Sequence, residues 1–322
     1  MSRSGVLVVD KPAGPTSFDV VQRVRRLLGA ARAGHAGTLD PAATGVLAVC
    51  VGDAVKLQQY LADADKAYEA TVEFGAATET EDAEGRVIET GDPSGLDADR
   101  IRAALARFVG EIEQVPPMYS AVRVRGRRLH EAARAGESVE RVPRRVRVDA
   151  LELLALDAPG EPGEPETPPA EGGPGPRVRL ARLAVRCGKG TYVRTLAADL
   201  GRALGVPAHL AALRRTEASA FRVEEGIALA EAEALGRDAL ASRIIPMGDA
   251  LRVVPPVAVD WHEARDLVHG RALERDAPAP LVRALAPDGR LVAICSLGER
   301  GLRPQRVFLG PGDLGAARAE ER

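Results

Sequence analysis

Residues 34–47 read GHAGTLDPAATGVL and place one carboxylate, Asp40, in a turn rich in Gly, Thr and Pro. The apolar run Val46–Val51 follows closely and predicts a buried strand. A loop beside a buried strand is a rigid mount for a reacting side chain, and the proline after Asp40 pushes that residue toward an extended backbone. The alternative is an Asx-turn, in which the carboxylate only caps its own backbone. The turn is the commoner outcome for an Asp-Pro pair, so evidence from the rest of the chain is needed to choose between a reactive carboxylate and an Asx-turn.

The composition is that of an ordinary globular protein. The 322 residues are 45% hydrophobic and 28% charged, enough for one large domain and one small one. No run is long enough to span a bilayer, and the apolar run Gly5–Val9 has only the length of a strand, which predicts a cytoplasmic protein without a signal sequence. The odd set of Cys50, Cys187 and Cys295 lies among apolar neighbours and predicts buried thiols rather than a disulfide framework or a zinc site.

The net charge is −2, but the charges are unevenly distributed along the chain. Residues 121–147 carry nine arginines against three glutamates, and residues 177–222 carry ten basic residues against Asp199 and Glu217. Acidic residues concentrate between Glu79 and Asp99. This segregation suits a protein with one phosphate-facing side, although a solvated surface in an arginine-rich protein is an equal alternative.

Periodicity predicts an α/β mixture without regular βαβ alternation. One helix is predicted from Ser17, a good N-cap, to Leu28, with Gly29 ending it. Alternating apolar and polar residues over Tyr68–Phe74 predict a half-buried strand with Tyr68 on its inward face. A hairpin carrying arginines is predicted around residue 126, further strands at about 5–10, 46–51, 145–156 and 177–187, and further helices at 54–61, 97–109 and 192–204.

The chain is predicted to contain two domains, residues 1–247 and residues 248–322. Within the first, residues 158–176 are nearly all Pro, Gly and Glu, which predicts a disordered surface insertion. The second begins with a proline-containing segment and continues with a predicted helix at Trp261–His269, closed by Gly270. Strands are predicted at about 281–286, 291–296 and 304–309.

Five segments of the chain, in order, resemble the TruB family of bacterial tRNA pseudouridine-55 synthases. The loop at residues 34–47 resembles the family's catalytic loop, and the other segments are Val8–Ser17, Asp65–Tyr68, Pro116–Ala121 and Gly188–Arg194. Together they cover about the first 220 residues. Residues 248–322 resemble the family's small PUA-like module, although this match is looser.

The resemblance implies an α+β protein with the pseudouridine-synthase fold. Its sheet is expected to be mixed and mostly antiparallel, with flanking helices and a central cleft, and its small β-rich PUA-like C-terminal domain is expected to bind RNA. The implied activity is isomerisation of uridine-55 in the tRNA T loop, on a nucleotide flipped out of its stack. The implied partner is tRNA, the implied state is a monomer, and neither cofactor, metal nor membrane is expected.

The same resemblance assigns three catalytic residues. Asp40 is implied to start the reaction as a nucleophile at C6 of the uracil or C1′ of the ribose, or as a base at C2′, and the sequence leaves these routes open. Desolvation alone would raise the pKa of such a carboxylate, so a cation must offset it, and Arg194 is the implied partner. Tyr68 is implied to stack on the uracil or to accept the C5 proton, with a core tyrosine as the structural alternative.

Further residues are implied to bind the substrate. His35 would hold the displaced nucleotide, Tyr192 would contact the flipped base together with Tyr68, and Leu213 would form an apolar wall of the pocket. The arginines from Arg123 to Arg147 are candidates for phosphate contacts that position the RNA. Lys11 is expected to be structural.

Two other functions are consistent with the residues. One is a tRNA-binding or tRNA-folding module in which catalysis is secondary. The other is a relative that works inside a guide-RNA complex, which the chain length and the small C-terminal module make the weaker alternative. Asp40 and Tyr68 separate an enzyme from the binding module, because a pure binding protein needs neither an activated carboxylate nor a positioned phenol.

Overall fold

The structure is a computed structural model and describes residues 4–118, 141–157 and 179–314, together with the backbone of 123–124 and 127–128. Its strands are β1 (Gly5–Lys11), β2 (Ala33–His35), β3 (Thr44–Val51), β4 (Lys66–Phe74), β5 (Ala76–Thr78), β6 (Val87–Thr90), β7 (Gly110–Gln114), β8 (Arg123–Val124), β9 (Arg127–Arg128), β10 (Arg144–Leu156), β11 (Arg179–Cys187), β12 (Ala208–Ala218), β13 (Phe221–Arg222), β14 (Ile227–Ala228), β15 (Ile245–Pro246), β16 (Pro256–Ala258), β17 (Leu281–Leu285), β18 (Leu291–Gly298) and β19 (Gly301–Val307). Its α-helices are α1 (Ser17–Leu28), α2 (Gln58–Ala62), α3 (Ala98–Leu105), α4 (Val193–Leu204), α5 (Leu229–Ala234), α6 (Arg237–Ser242), α7 (Met247–Ala250) and α8 (Trp261–Val268).

Within these ranges the strands form one large sheet and three small ones. The large sheet has eleven strands, with the main order β14-β1-β3-β12-β4-β11-β10-β7, and β2, β13 and β15 pair at its side. Only the β1–β14 and β3–β12 pairs in this sheet are parallel. A separate sheet has the order β16-β17-β18-β19. The predicted α+β architecture, with a mixed, mostly antiparallel sheet and a small β-rich C-terminal unit, is confirmed.

Strand β3 is buried along almost its whole length, from Gly45 to Val51. A continuous apolar run of this kind is typical of a strand covered on both faces. On one face Leu47 and Val49 pack with α1, and on the other Val46 and Ala48 pack with residues of the C-terminal unit. The loop that carries Asp40 therefore leads into a strand that is buried on both faces.

Helix α1 has the predicted bounds but a different N-cap. Thr16 is the capping residue, because its hydroxyl accepts from the Asp19 N–H and the Thr16 N–H donates to the Asp19 carboxylate. Ser17 is the first helical residue, and its buried hydroxyl is engaged elsewhere. Gly29 ends the helix in the left-handed region, with φ 59°, as predicted.

Two other predicted helices differ at their ends, and one central strand has no signal in the sequence. The 54–61 segment is a 3₁₀ turn over Gly52–Leu57 followed by α2, and the 97–109 helix passes into a 3₁₀ turn after Leu105. Strand β12 lies between β3 and β4 although its Ala, Leu and Arg residues favour helices. Pairing along both edges overrides that local preference.

The C-terminal unit shares an apolar cluster with the large sheet. Leu291, Ile294 and Phe308 are buried against a group that includes Val46 and Leu57. The predicted helix and strands of this unit are present, at α8, β17, β18 and β19. The two sheets therefore have a common core.

Some predictions fall outside the described residues. These are the disordered insertion at 158–176 and most of the arginine-rich segment between 119 and 140. The predicted hairpin is present at the level of backbone pairing, because β8 and β9 are antiparallel partners. In the described part of the chain, no helix is long and apolar enough to cross a membrane.

Candidate active site

Asp40 and Arg194 form an ion pair across 154 residues of sequence. Arg194 Nε lies 3.0 Å from Asp40 Oδ2, with the arginine side chain 7% exposed and the aspartate side chain 41% exposed. Loss of solvent around the carboxyl raises the pKa of Asp40 above its ordinary value, and the negative charge of Asp82 raises it further. The positive charges of Arg194 and Lys11 act in the opposite direction. The predicted cationic partner is therefore in place, and it offsets the effect of desolvation only in part.

A second carboxylate, from Asp82, shares Arg194. Arg194 Nη1 donates to Asp82 Oδ2 at 3.1 Å and to the Thr80 carbonyl at 3.2 Å. Asp82 is itself held by the Thr80 hydroxyl and by the Glu84 N–H. Asp82 lies in the acidic segment between Glu79 and Asp99, and a turn packed against α4 delivers its carboxylate to the same guanidinium.

The backbone around Asp40 is held by buried polar side chains from two elements. Lys11, which is completely buried, donates to the carbonyls of Pro41 and Ala43 at 2.9 and 2.7 Å. The Ser17 hydroxyl donates to the Leu39 carbonyl and accepts from the Leu39 N–H, both at 2.8 Å. The residues on either side of Asp40 are thus fixed, and Lys11 is structural, as expected.

Arg215 holds the first half of the loop, although the charge pattern assigns it only to a basic segment. It is 1% exposed and donates to the carbonyls of Gly37, Thr38 and Val46. Its charge also acts on the Tyr68 phenol and opposes the rise in the pKa of that group. A local pattern offers no signal for such a residue, since its carbonyl partners lie about 170 positions away.

Tyr68 is buried on β4, facing inward as predicted, in the same apolar cluster as Leu39 and Ala43. Burial raises the pKa of its phenol, and the Arg215 charge opposes that shift. Leu213 is half-buried and packs against this cluster. The structure therefore brings together an apolar wall, a phenol and the Asp40 loop.

His35 lies on β2, at the beginning of the loop. Burial lowers the pKa of its imidazole, and the nearby Arg215 charge lowers it further. Its Nδ1 is buried and has no hydrogen-bond partner among the described residues. The Gln58 side chain donates to the His35 carbonyl at 2.9 Å.

Tyr192 is the N-cap residue of α4 and not part of the helix, which differs from the predicted start at 192. Arg194 follows two positions later in the first turn, so the two residues implied to act at the substrate share one helix terminus. The backbone of Tyr192 is bound by the side chain of Gln114. The sequence gives no local signal for Gln114, because its partner lies 78 residues away.

The basic segments do not form an unopposed cationic surface in the described residues. Most of their cations pair with acids, which lie on strands, in loops and on α4. These pairs are Arg147–Asp65, Arg179–Asp157, Arg182–Glu69, Arg186–Glu217, Lys189–Asp63, Arg202–Asp199 and Arg214–Asp10. An approaching phosphate would therefore compete with carboxylates for them.

A cavity of about 490 Å³ lies beside α4. Its lining includes Thr80, Glu81 and Arg202 but neither Asp40 nor Tyr68. This cavity is therefore not a place where a base would meet Asp40.

Comparison with known proteins places the chain in a family. Residues 25–193 match the model of the TruB family pseudouridylate synthase N-terminal domain. Residues 194–252 match the tRNA pseudouridylate synthase B C-terminal domain, and residues 255–309 match the C-terminal model of tRNA pseudouridine synthase II.

Individual relatives agree with this assignment. A tRNA pseudouridine synthase B of Cupriavidus metallidurans is 42% identical over 312 residues, covering 94% of this chain and 93% of the relative. One of Aromatoleum aromaticum is 44% identical over 304 residues, covering 94% of this chain and 92% of the relative. Among solved structures, a chain of a Cbf5-Nop10-Gar1 complex superposes with a TM-score of 0.69 at 26% identity, covering 96% of this chain and 86% of that chain.

The mixed sheet and the family-model matches together define a protein of the pseudouridine-synthase type. The chain belongs to the TruB family of pseudouridylate synthases.

Proposed function

We propose that this protein converts uridine-55 in the T loop of tRNA to pseudouridine. The observation that carries the proposal is the Asp40–Arg194 ion pair in the loop that matches the family's catalytic motif. Relatives at 42–44% identity over nearly the whole chain are named as tRNA enzymes. This favours a tRNA enzyme over the guide-RNA alternative, whose structural relatives reach 25–26% identity.

The reaction is an isomerisation in which atoms and electrons balance within the substrate. The N1–C1′ bond breaks, the base turns, and a C5–C1′ bond forms. The proton on C5 leaves and N1 gains one, so no redox or group-carrying cofactor is required. The nucleotide must leave its stack first, because its N1 and C5 atoms are otherwise inaccessible.

Asp40 is the proposed residue that starts the reaction. Arg194 engages its Oδ2, and Oδ1 is the oxygen that we assign to the substrate. The raised pKa of this carboxyl makes it a stronger base or nucleophile than an ordinary aspartate, while Arg194 keeps the ionised form accessible. All three routes, through C6, C1′ or C2′, are compatible with this placement.

Tyr68 is proposed to stack on the flipped uracil. Its raised pKa keeps the phenol protonated at neutral pH, which supports stacking over removal of the C5 proton. Leu213 would form the apolar wall of the pocket, Tyr192 would contact the base, and His35 would hold the displaced nucleotide.

Further parts of the proposal concern the whole protein. Residues 1–247 would be the catalytic domain and residues 248–322 a PUA-like RNA-binding domain. The protein would act as a cytoplasmic monomer without a metal ion. Size-exclusion chromatography with light scattering, and activity after treatment with a chelator, test the last two points.

The central test is Asp40→Asn. We expect release of tritium from C5-labelled uridine in an unmodified tRNA transcript to stop, because the nucleophile or base is lost. Affinity for tRNA should stay within roughly tenfold, since phosphate contacts dominate binding. Asp288→Asn is a matched control, because Asp288 forms an exposed ion pair with Arg290 in the C-terminal unit.

Activity near that of the wild type in Asp40→Asn would remove Asp40 from the mechanism. A wild-type protein that binds tRNA but releases no tritium would favour the folding module.

A further inference from the structure

Gln114, the last residue of β7, is buried and binds the backbone of Tyr192 in both directions. It is 1% exposed. Its Oε1 accepts from the Tyr192 N–H at 3.0 Å, and its Nε2 donates to the Tyr192 carbonyl at 3.3 Å. A carboxamide carries one acceptor and one donor group, so both of its functions are used on a single residue.

The backbone of Tyr192, at the N-terminus of α4, is hydrogen-bonded by a side chain from outside the helix. It is extended, with φ −101° and ψ 109°, and no side-chain cap bond is made from its own residue. Its carbonyl also accepts from the Leu196 N–H, which starts the hydrogen bonding of α4. The first backbone groups of a helix lack intrahelical partners, and here a distant side chain supplies one.

The position of Tyr192 determines the position of Arg194. Arg194 and Thr195 stand in the first turn of α4, directly after Tyr192. Arg194 contacts both Asp40 and Asp82, and the Thr195 hydroxyl donates to Glu81 at 2.7 Å. A shift of the helix start would therefore change the geometry of the ion pair that carries the proposed chemistry.

We propose that Gln114 is a positioning residue for the reaction: its carboxamide fixes the Tyr192 backbone, and thereby the base-contacting phenol and the Arg194 guanidinium. This inference rests on the proposed function. Methionine has a similar shape without the hydrogen bonds, and glutamate has a similar shape with a titratable group. These two replacements separate the hydrogen bonds from the packing.

The first experiment compares Gln114→Met with the wild type in single-turnover tritium release at saturating enzyme. We expect the rate to fall by up to about 100-fold, as misplacement of a reacting group by about 1 Å causes. The dissociation constant for tRNA should change less than about threefold, because the phosphate contacts are unaltered. Gln59→Met is the matched control, since Gln59 is an exposed glutamine of α2, outside both the candidate site and the proposed RNA-binding domain.

The second experiment measures the pH profile of Gln114→Glu. A protonated glutamic acid accepts and donates as glutamine does, whereas an ionised one cannot donate and repels the Tyr192 carbonyl. The rate of this variant relative to the wild type should therefore rise as the pH falls. A purely structural role would not produce this recovery.

A wild-type single-turnover rate in Gln114→Met would overturn this inference and leave the proposed function intact. The inference is equally overturned if Gln114→Glu shows no relative recovery at low pH. If the wild-type protein releases no tritium, both the inference and the proposed function fail.

Discussion

At the scale of single residues, one guanidinium holds two carboxylates. Arg194 contacts Asp40 from the catalytic loop and Asp82 from the turn after β5. The two negative charges act on each other, and the Asp82 charge raises the pKa of Asp40. Asp82 therefore both anchors Arg194 and raises the pKa of the carboxylate that we propose to react.

Asp82→Asn should shift the acid limb of the pH–rate profile to lower pH. The proposed reaction uses ionised Asp40. A like charge nearby disfavours ionisation, so removal of the Asp82 charge lowers the pKa of Asp40. The plateau rate should fall by roughly tenfold, because a charge-assisted hydrogen bond to Arg194 is lost. Single-turnover rates measured as a function of pH test both effects.

Glu79→Gln is the control for Asp82→Asn, since Glu79 is an exposed carboxylate of the same turn region that pairs with Arg86. An acid limb that stays in place or moves to higher pH in Asp82→Asn would contradict the coupling.

At the scale of elements, the loop that carries Asp40 is held by residues from three neighbouring elements. Lys11 comes from β1, Ser17 from α1 and Arg215 from β12, and each bonds backbone groups of the loop. Two adjacent residues, Thr16 and Ser17, have different partners: Thr16 caps its own helix, and Ser17 holds Leu39. Substitutions at these two residues therefore distinguish an effect on the stability of α1 from an effect on the geometry of the loop.

Thr16→Ala should lower the free energy of unfolding by about 1 kcal/mol, the usual cost of a lost N-cap, with little change in activity. Ser17→Ala should reduce the single-turnover rate, because the residue before Asp40 loses both of its hydrogen bonds. Urea denaturation and tritium release, measured on both variants, test the contrast. Equal losses of activity in the two variants would refute the separate roles.

At the scale of the whole molecule, the C-terminal unit and the large sheet are expected to unfold together. Ile294 is completely buried in the cluster that both sheets share. Ile294→Ala should cost about 2–4 kcal/mol, as buried aliphatic truncations do, and should shift one common transition to lower temperature. Differential scanning calorimetry measures this directly.

Val282→Ala is the comparison for Ile294→Ala, because Val282 is equally buried but lies in the cluster confined to the C-terminal unit. Two separate transitions, of which only one moves in Ile294→Ala, would show that the sheets unfold independently.

Local patterns are sufficient for much of the fold. The alternation over Tyr68–Phe74 and the caps around α1 depend on neighbours a few residues apart, so the sequence displays them. Strand β12 is not predicted from the sequence, because its composition favours a helix. Its pairing with β3 and β4 makes it a strand. The predicted N-cap is wrong by one residue because Thr16 and Ser17 are both good caps, and the choice between them depends on Leu39.

The sequence by itself determined the family, the loop that carries Asp40, and the residue types of the candidate site, because ordered motifs and side-chain chemistry are local properties. Only the tertiary structure decided that Asp82 shares Arg194, that Arg215 is buried beneath the loop, and that Gln114 binds Tyr192. A charged or amide side chain is stable in the interior only when its partners surround it. Those partners come from distant parts of the chain, so folding alone brings them together.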